Sequence, residues 1–274
     1  MEITYEKLGE YAKDVRVKII QMLTEAKSGH PGGSLSAVEI LLVLFFKFIK
    51  RTKENADRLD RDFFIMSKGH GIPALYAVLF KLGLIEEKEL MTIRKLGSRL
   101  QGHPDRQRLP YVEASTGSLG QGLSIAQGVA LGQKLNKTDS RTYCMIGDGE
   151  MEEGQIWEVF LSASKFKLNN LIVFLDYNKA QIDGLVKDIM DLEPIRQKLE
   201  AFKWHVDEIN GHDFKQIEKA VLKAHKIKDR PTFIISHTIK GKCVRFMEQN
   251  LLQWHGVAPS CEEAKAAIDD IMND

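Results

Sequence analysis

The sequence is poor in the features that mark secreted, membrane-spanning and nucleic-acid-binding proteins. It has three cysteines among 274 residues, Cys144, Cys243 and Cys261, and their spacing forms neither a CxxC pair nor a zinc motif, which favours a reducing, cytoplasmic location. Lysine and arginine (39) nearly balance aspartate and glutamate (38), so no excess of charge indicates a nucleic acid or a membrane surface as a partner. The longest apolar run, residues 40–49, contains Lys47 and is too short to span a bilayer, so we expect a core helix there. The N-terminal segment also lacks the basic-then-apolar pattern of a signal peptide.

Apolar runs alternate with helical patterns along the chain, as in an α/β protein. The strand candidates are residues 63–66, 143–146, 171–175, 204–209 and 232–236. The helix candidates are residues 1–27, 40–46, 73–82, 86–97, 125–135, 191–202, 214–224 and 261–271, with about five more turns after residue 149. This alternation favours a mostly parallel sheet with helices on both faces. Because no repeat, low-complexity tract or linker divides the chain, we expect a single α/β domain over residues 1–274.

The central part of the chain, residues 143–178, predicts a phosphate and metal site. One strand candidate ends in Gly147-Asp148-Gly149, and the next ends at Asn178. A right-handed βαβ unit brings the carboxyl ends of both strands to one edge of the sheet, so Asp148 and Asn178 should converge there. The glycines let a bulky anion approach the backbone, and the N-terminus of the following helix favours negative charge. A carboxylate, an amide oxygen and main-chain oxygens suit Mg²⁺ better than zinc, so the sequence predicts a magnesium–diphosphate site.

Three histidines stand beside glycine in loops: His30, His70 and His103. Each one alone is most simply a solvated loop residue, but three such pairs favour imidazoles that face a ligand. Glycines and Pro31 predict a loop around His30, with Ser36 as a candidate cap of the next helix. His70 would donate to an anion at a helix N-terminus.

Two other loops have the composition of ligand-binding segments. Residues 115–122, STGSLGQG, contain three glycines that permit close approach of a flat ring or a phosphate, although tight helix packing explains them equally well. Lys240, followed by glycine, comes shortly after the last strand candidate. It is a candidate phosphate contact, and a solvated charge is the simpler alternative.

Together these motifs resemble those of transketolases. Gly-Asp-Gly with an asparagine thirty residues after Asp148 resembles the diphosphate motif of thiamine-diphosphate enzymes in general. The segments GDGEMEEGQIWE, KLNNLIVFLDYNKAQIDG, SGHPGG, TGSLGQG and WHG resemble transketolase in particular, over about residues 30–259. The resemblance implies the diphosphate-type domain of the thiamine-diphosphate-binding fold. It also implies transfer of a two-carbon ketol unit from a ketose phosphate to an aldose phosphate, as in the pentose phosphate pathway.

The resemblance implies a role for each matching residue. Asp148, Asn178 and the main-chain carbonyl of Ala180 are expected to hold Mg²⁺, or Ca²⁺ or Mn²⁺ in its place. Besides Asp148 and Asn178, the residues expected to bind thiamine diphosphate are His70, Gly117, Ser118, Leu119, Gly149, Glu153, Lys240 and His255. The expected catalytic residues, which would face the sugar and move protons or stabilise an alkoxide, are His30, His103 and His255.

The resemblance also implies a partner. Full-length transketolases contain a pyrimidine-binding domain, with a glutamate that protonates the aminopyrimidine, and a C-terminal domain, whereas this chain matches only the first domain. We therefore expect the N-terminal subunit of a split transketolase that is inactive without a C-terminal partner subunit. Glu153 matches a buried glutamate at the family's dimer contact. With Glu158 it is expected near the contact of two copies in an α₂β₂ complex, although an ordinary first-turn helix acid is an alternative for Glu153.

Other interpretations stay open at this point. A 1-deoxyxylulose-phosphate synthase or a dehydrogenase E1 subunit shares the Gly-Asp-Gly and asparagine motif, but His30 and His103 favour a sugar with several hydroxyls. A non-catalytic regulatory homologue should have lost charged or histidine site residues, and none is lost here. The ketose is also open, and it includes modified sugars such as sulfo-sugars or branched sugars.

Overall fold

The computed structural model describes residues 3–274, in which five parallel strands form one sheet with helices on both faces. The strands are β1 (Phe63–Met66), β2 (Thr142–Gly147), β3 (Leu171–Tyr177), β4 (His205–Asn210) and β5 (Thr232–His237). The helices are α1 (Tyr5–Ala26), α2 (Pro31–Leu35), α3 (Val38–Val43), α4 (Ile72–Lys81), α5 (Glu87–Leu90), α6 (Gln121–Leu135), α7 (Gly154–Lys165), α8 (Val186–Ile189), α9 (Ile195–Ala201), α10 (Phe214–Lys226), α11 (Arg245–Gln249) and α12 (Cys261–Asn273). A π-helical turn, Leu44–Phe48, extends α3, and 3₁₀ turns lie at Gly69–Gly71 and Gly149–Glu152. The predicted α/β class with a parallel sheet is confirmed.

The sheet order is β1-β2-β3-β5-β4, and every neighbouring pair is parallel. Successive residues of β2 enter different apolar clusters: Tyr143 and Met145 pack with α1, α3, α4, α10 and α12, whereas Cys144 and Ile146 pack with α6, α7 and α9. This alternation follows from the period of two in a strand. Since both faces are covered, β1, β2, β3 and β5 are buried almost throughout, whereas the edge strand β4 alternates buried and more exposed residues.

The apolar run near residue 40 lies in the protein core. The helical stretch Pro31–Phe48 is long and apolar enough to cross a membrane, but 83% of it is buried inside the fold. Its apolar side chains belong to the cluster packed against α1 and α4. The structure therefore agrees with the core helix expected for residues 40–49.

The segment around His30 differs from its prediction. The sequence predicts a loop through Pro31, but Pro31–Leu35 is the short helix α2, because proline at the first helical position has the required φ and loses no hydrogen bond. Ser36 does not cap the next helix, whose N-cap is Ala37 without a side-chain bond. Instead the Ser36 hydroxyl donates to the carboxylate of Asp176, 2.7 Å away.

Several predicted helices have different lengths in the structure. Of residues 86–97, Glu87–Leu90 is helical and turns follow, with Arg94 in the left-handed region at φ 62°. Of residues 191–202, Ile195–Ala201 is helical, because the residue before Pro194 is disfavoured in the α conformation. The stretch after residue 149 is divided at Glu153 into a 3₁₀ turn and α7, and α6 begins at Gln121, one turn earlier than expected.

Candidate functional site

A cavity of about 250 Å³ opens at the carboxyl ends of the strands. The predicted site residues that line it are His30, His70, His103, Gly117, Leu119, Asp148, Gly149, Asn178, Ala180, Lys240 and His255. The remaining lining residues are Gly33, Lys68, Gly147, Glu150, Gln181, Ile182 and Asp183. The fold thus brings together loops from both ends of the chain at one edge of the sheet, where ligands bind in parallel α/β proteins.

Two predicted cofactor-binding residues do not line the cavity. Ser118 is exposed, and its main-chain carbonyl accepts from the N–H of Gln121 at the start of α6. Glu153 is exposed at the N-cap of α7 and makes no side-chain capping bond. Neither contact with the cofactor is visible in this chain alone, so both stay predictions.

Asp148 is held at the end of β2 with its carboxylate turned towards the β3 loop. One oxygen accepts from the N–H of Gly149 at 2.9 Å, and the other accepts from the N–H of Lys179. Burial and the neighbouring Asp176 carboxylate raise the pKa of Asp148 to about 7. A buried carboxylate beside a second carboxylate is a place where a bound cation is stabilised.

Asn178 and Ala180 add neutral oxygens to this edge of the cavity. The Asn178 side-chain oxygen accepts from the N–H of Ala180 at 3.2 Å, and the Ala180 carbonyl accepts from Lys240 Nζ at 3.1 Å. Within residues 3–274, no group of three His, Cys, Asp or Glu side chains is arranged to hold a metal ion. A metal here would therefore depend on one carboxylate with amide and main-chain oxygens, a set that fits Mg²⁺ or Ca²⁺.

Lys68 and Asp176 form a buried ion pair that lies beside these ligands. Lys68 Nζ donates to the Asp176 carboxylate and to the Gly33 carbonyl, 2.7 Å away. Asp176 also accepts from the hydroxyls of Ser36 and Thr238. Burial alone would raise the pKa of Asp176, but Lys68 and these donors hold it below its ordinary value. The pair thereby joins the ends of β1, β3 and β5 to α2.

Four histidines gather on the other side of the cavity. The ring of His30 lies 5.3 Å from that of His70, 6.0 Å from that of His103 and 5.6 Å from that of His255, measured between centroids. Burial and nearby cations lower the pKa of His30 to about 4 and that of His255 to about 3. The pKa of His103 is lowered by burial and Arg94, and that of His70 lies well below its ordinary value, mainly because of burial. All four imidazoles are therefore neutral at pH 7, and each can donate one N–H hydrogen bond and accept another.

Lys240 is a buried cation and not the solvated charge that its position after a strand also allowed. Its side chain is 2% exposed, and its Nζ lies 3.0 Å from His255 Nδ1. Burial lowers the pKa of Lys240 to about 8. Gly32 packs on its stem so closely that a Cβ there would lie 2.8 Å from Lys240 Cγ, so this position requires glycine. The arrangement places positive charge beside the expected metal ligands, which suits a polyanion such as a diphosphate.

Sequence reasoning missed the buried charges Lys68, Glu150 and Asp176. Lys68 and Asp176 each stand next to a predicted site residue or motif, but no local pattern distinguishes a buried charge from a solvated one. A larger open groove of about 690 Å³, lined by residues of α7, α9 and the loop before β5, contains lysines and apolar side chains but no histidine. The smaller cavity at the strand ends is therefore the candidate site on chemical grounds.

Comparisons with known proteins identify the family of this chain. The family model for "Transketolase, thiamine diphosphate binding domain" matches residues 9–270. A protein from Phocaeicola vulgatus that is named as one subunit of apulose-4-phosphate transketolase is 37% identical over 256 residues, which cover 93% of this chain and 90% of that protein. The protein named 6-deoxy-6-sulfo-D-fructose transketolase subunit SqwG from Clostridium sp. is 40% identical over 264 residues, which cover 96% of each. The crystal structure of transketolase from Campylobacter jejuni has a TM-score of 0.92 at 33% identity, covering 98% of this chain and 43% of that chain. The chain therefore belongs to the transketolase family and corresponds to its thiamine diphosphate-binding domain.

Proposed function

We propose that this chain is the N-terminal subunit of a split transketolase that transfers a two-carbon ketol unit from a ketose phosphate to an aldose phosphate. The observation that carries the proposal is the cavity at the strand ends, where the oxygens of Asp148, Asn178 and Ala180 face four neutral histidines. Family membership supports thiamine diphosphate as the cofactor. A non-catalytic regulatory role is disfavoured because Asp148, Lys240 and the four histidines of the site are all present in one cavity.

We further propose that Asp148, Asn178 and the Ala180 carbonyl hold Mg²⁺, with Ca²⁺ or Mn²⁺ as substitutes. The donor set and the raised pKa of Asp148 support this assignment. Thiamine diphosphate, when bound, supplies the electron sink for cleavage of a carbon–carbon bond. Lys240 and His70 would contribute positive charge and hydrogen-bond donors to its diphosphate, and Gly149 permits close approach of the backbone.

The chain's own histidines are suited to proton transfer on the sugar. His30 Nδ1 is buried and has no hydrogen-bond partner within residues 3–274, so that ring is held by packing and not by a fixed proton acceptor. Because His30, His103 and His255 are neutral at pH 7, each can accept a proton from a sugar hydroxyl, and the imidazolium so formed can return that proton to a developing alkoxide. We propose these three as the catalytic residues of this chain.

The proposal includes a second subunit that carries the pyrimidine-binding and C-terminal domains. The names of both relatives describe subunits, and they match this chain over at least 90% of their length. Ile182 lines the cavity and is 67% exposed, so it is accessible to a partner chain. Glu153 and Glu158 are exposed on α7, where we expect contact between two copies of this chain in an α₂β₂ complex. Three free cysteines support a cytoplasmic location.

Family membership does not determine which sugar is the donor. The two relatives are named for apulose-4-phosphate and for 6-deoxy-6-sulfo-D-fructose. We propose a pentose-phosphate-type ketose as the donor for this chain, since the side of the cavity that contains His30 and His103 suits a sugar with several hydroxyls. The two modified ketoses are tested as alternative donors.

The experiment is to express this chain with the neighbouring reading frame in a host that lacks transketolase and to assay ketol transfer. The donors are xylulose 5-phosphate, apulose-4-phosphate and 6-deoxy-6-sulfo-D-fructose. We expect no activity from the chain alone, activity from the pair with one donor, and no activity from the pair carrying Asp148→Ala. Full activity of the chain alone would overturn the split-enzyme proposal, and failure of the pair to bind thiamine diphosphate would overturn the function.

A further inference from the structure

Glu150 is a buried carboxylate in the cavity wall that neither the metal site nor the histidine cluster uses. It is the second residue of the 3₁₀ turn Gly149–Glu152 and is 2% exposed. One carboxylate oxygen accepts from the Ser67 hydroxyl at 2.5 Å and from the N–H of Gly120 at 2.8 Å. The other accepts from the N–H of Gly147 at 3.1 Å. All three donors are neutral, so Glu150 is not one half of an ion pair with any of them.

The three donors belong to separate parts of the chain. Ser67 directly follows β1, Gly147 is the last residue of β2, and Gly120 is the N-cap of α6. A second side chain strengthens the connection, because Gln155 Nε2 in α7 donates to the Leu119 carbonyl at 3.2 Å. Two hydrogen bonds therefore attach this loop to the segment that follows Asp148. The N–H of Gly120 donates to Glu150, and the carbonyl of Leu119 accepts from Gln155.

Glycines allow the loop to lie directly on these partners. Gly120 has φ +85°, and a Cβ there would lie 2.8 Å from Gln155 Cγ. A Cβ at Gly122 would lie 2.5 Å from Ser67 Oγ. Both positions exclude a side chain, so these two glycines allow the loop to lie directly against Ser67 and Gln155.

A carboxylate is required because all three partners are donors. An ionised carboxylate accepts at both oxygens, whereas the amide of a glutamine would turn an NH₂ group towards at least one N–H or O–H. A buried donor that faces another donor loses its hydrogen bond and carries the full cost of desolvation. The substitution Glu150→Gln therefore keeps the shape of the side chain and changes the spacing of the segments around it.

We propose that Glu150 is a positioning residue that fixes the distance between the Asp148 turn and the loop of Gly117–Gly120. The inference rests on the proposed function, in which the turn binds the diphosphate and the loop contacts the rest of thiamine diphosphate. Because Glu150 reaches only protein donors, it acts on cofactor affinity and not on the reacting atoms. Its loss should raise the KM for thiamine diphosphate and leave kcat at saturating cofactor near the wild-type value.

The test compares Glu150→Gln with Glu218→Gln in the complex with the partner subunit. Glu218 is the control, since its side chain is 16% exposed and its carboxylate accepts from Tyr5 and is ion-paired with Lys47, but it lies on α10 outside the cavity. We expect Glu150→Gln to weaken thiamine diphosphate binding in calorimetry by roughly tenfold, as the loss of one hydrogen bond would. Glu218→Gln should lower the melting temperature without changing that affinity. Ser67→Ala, which removes one donor and keeps the carboxylate, should weaken binding in the same direction by less.

Hydrogen exchange on the chain alone provides a second readout that needs no cofactor. Glu150→Gln should accelerate exchange of amides 118–121, and Glu218→Gln should not. Unchanged cofactor affinity and unchanged exchange in Glu150→Gln would overturn the inference, as would a lost kcat at unchanged affinity. If the wild-type complex does not bind thiamine diphosphate, the proposed function fails, and the exchange measurement still decides whether Glu150 holds the loop.

Discussion

The two ends of the five-stranded sheet bury polar side chains in different ways. At the amino end, Gln133 is 4% exposed and its neutral amide joins three segments. Its nitrogen donates to the Arg61 carbonyl at 3.2 Å, and its oxygen accepts from the Thr142 hydroxyl at 2.9 Å and from the Asn170 amide at 3.2 Å. At the carboxyl end the same task falls to five buried charged groups, Lys68, Asp148, Glu150, Asp176 and Lys240, whereas the buried charge that precedes β1 at the amino end, Arg61, is paired with Glu113.

This difference distinguishes polar side chains that are buried to stabilise the fold from those that are buried at a binding site. A satisfied amide is an inexpensive way to close one end of a sheet, whereas each buried charge carries a desolvation cost of several kcal/mol (on the order of 5) that good geometry only partly offsets. Several charges at one buried edge, with pKa values displaced by burial, are typical of a binding site. Burial of a polar residue thus does not by itself indicate a binding site. A binding site is indicated when the residue is also charged and lies at the carboxyl ends of the strands.

The largest expected effect is that of Asp148→Ala. We expect thiamine diphosphate binding by the complex to fall below detection in calorimetry with Mg²⁺ present, because the one acidic ligand of the proposed metal site is removed. The melting temperature should stay close to wild type or rise, since a buried carboxylate whose pKa is raised to about 7 destabilises the fold. Unchanged cofactor affinity would show that the charged end of the sheet does not bind the cofactor through Asp148.

The next effect concerns the histidines. His30→Ala and His103→Ala should keep cofactor binding but lower ketol transfer by roughly 100- to 10,000-fold, the range for a group that transfers protons. His237→Ala is the matched control, because His237 ends β5 at the same edge but is bonded to Glu208 outside the cavity. Near-normal rates in both cavity variants would show that neither His30 nor His103 transfers a proton in the reaction.

Gln133→Ala should give the opposite result to Asp148→Ala. We expect the free energy of unfolding to drop by about 1–3 kcal/mol in denaturant titration, because the Arg61, Thr142 and Asn170 groups lose buried partners. Cofactor affinity of the folded complex should not change, since the substitution lies at the opposite end of the sheet. A loss of affinity without a loss of stability would contradict the proposed division between the two ends.

The smallest effect tests a buried charge outside the cavity. Glu39 accepts from Arg16 at 2.6 Å and from His212 Nδ1 at 2.9 Å, and the other nitrogen of His212 accepts from the N–H of Ile239. Although burial opposes it, Arg16 and His212 lower the pKa of Glu39 to about 2. A lowered pKa stabilises the fold above the ordinary glutamate pKa, and this stabilisation is lost as the pH falls towards the folded value.

Glu39→Gln should therefore destabilise the chain at pH 7. The difference in the free energy of unfolding between the variant and the wild type should become smaller at low pH. We expect this difference to decrease by about 1 kcal/mol between pH 6 and pH 3.5, measured by denaturant titration of both proteins. A gap that does not change with pH would mean that the Glu39 charge contributes nothing. Cofactor affinity of the variant shows whether a buried charge away from the cavity supports the site as well.

Sequence reasoning succeeded where the signal was local. The Gly-Asp-Gly turn, Asn178 and the Gly-His pairs were found because a turn and its chemistry are contained in a few neighbouring residues. The loop expected at Pro31 was wrong because proline fits the first position of a short helix, and the cap expected at Ser36 was wrong because a tertiary contact directs its hydroxyl to Asp176. Ser118 and Glu153 stay predictions, since their expected ligands come from outside this chain.

The sequence by itself determined the alternation of strands and helices, the parallel sheet and the position of the Gly-Asp-Gly turn, because apolar periodicity and turn chemistry act over short distances. Only the tertiary structure decided the strand order β1-β2-β3-β5-β4 and, through it, which charges meet. Lys68 and Asp176 are 108 positions apart and become an ion pair because both follow or end strands at the same edge. His30 and His255 likewise meet only in the folded chain, their ring centroids 5.6 Å apart. Contacts of this kind depend on how the layers pack, and no short segment of the sequence carries that information.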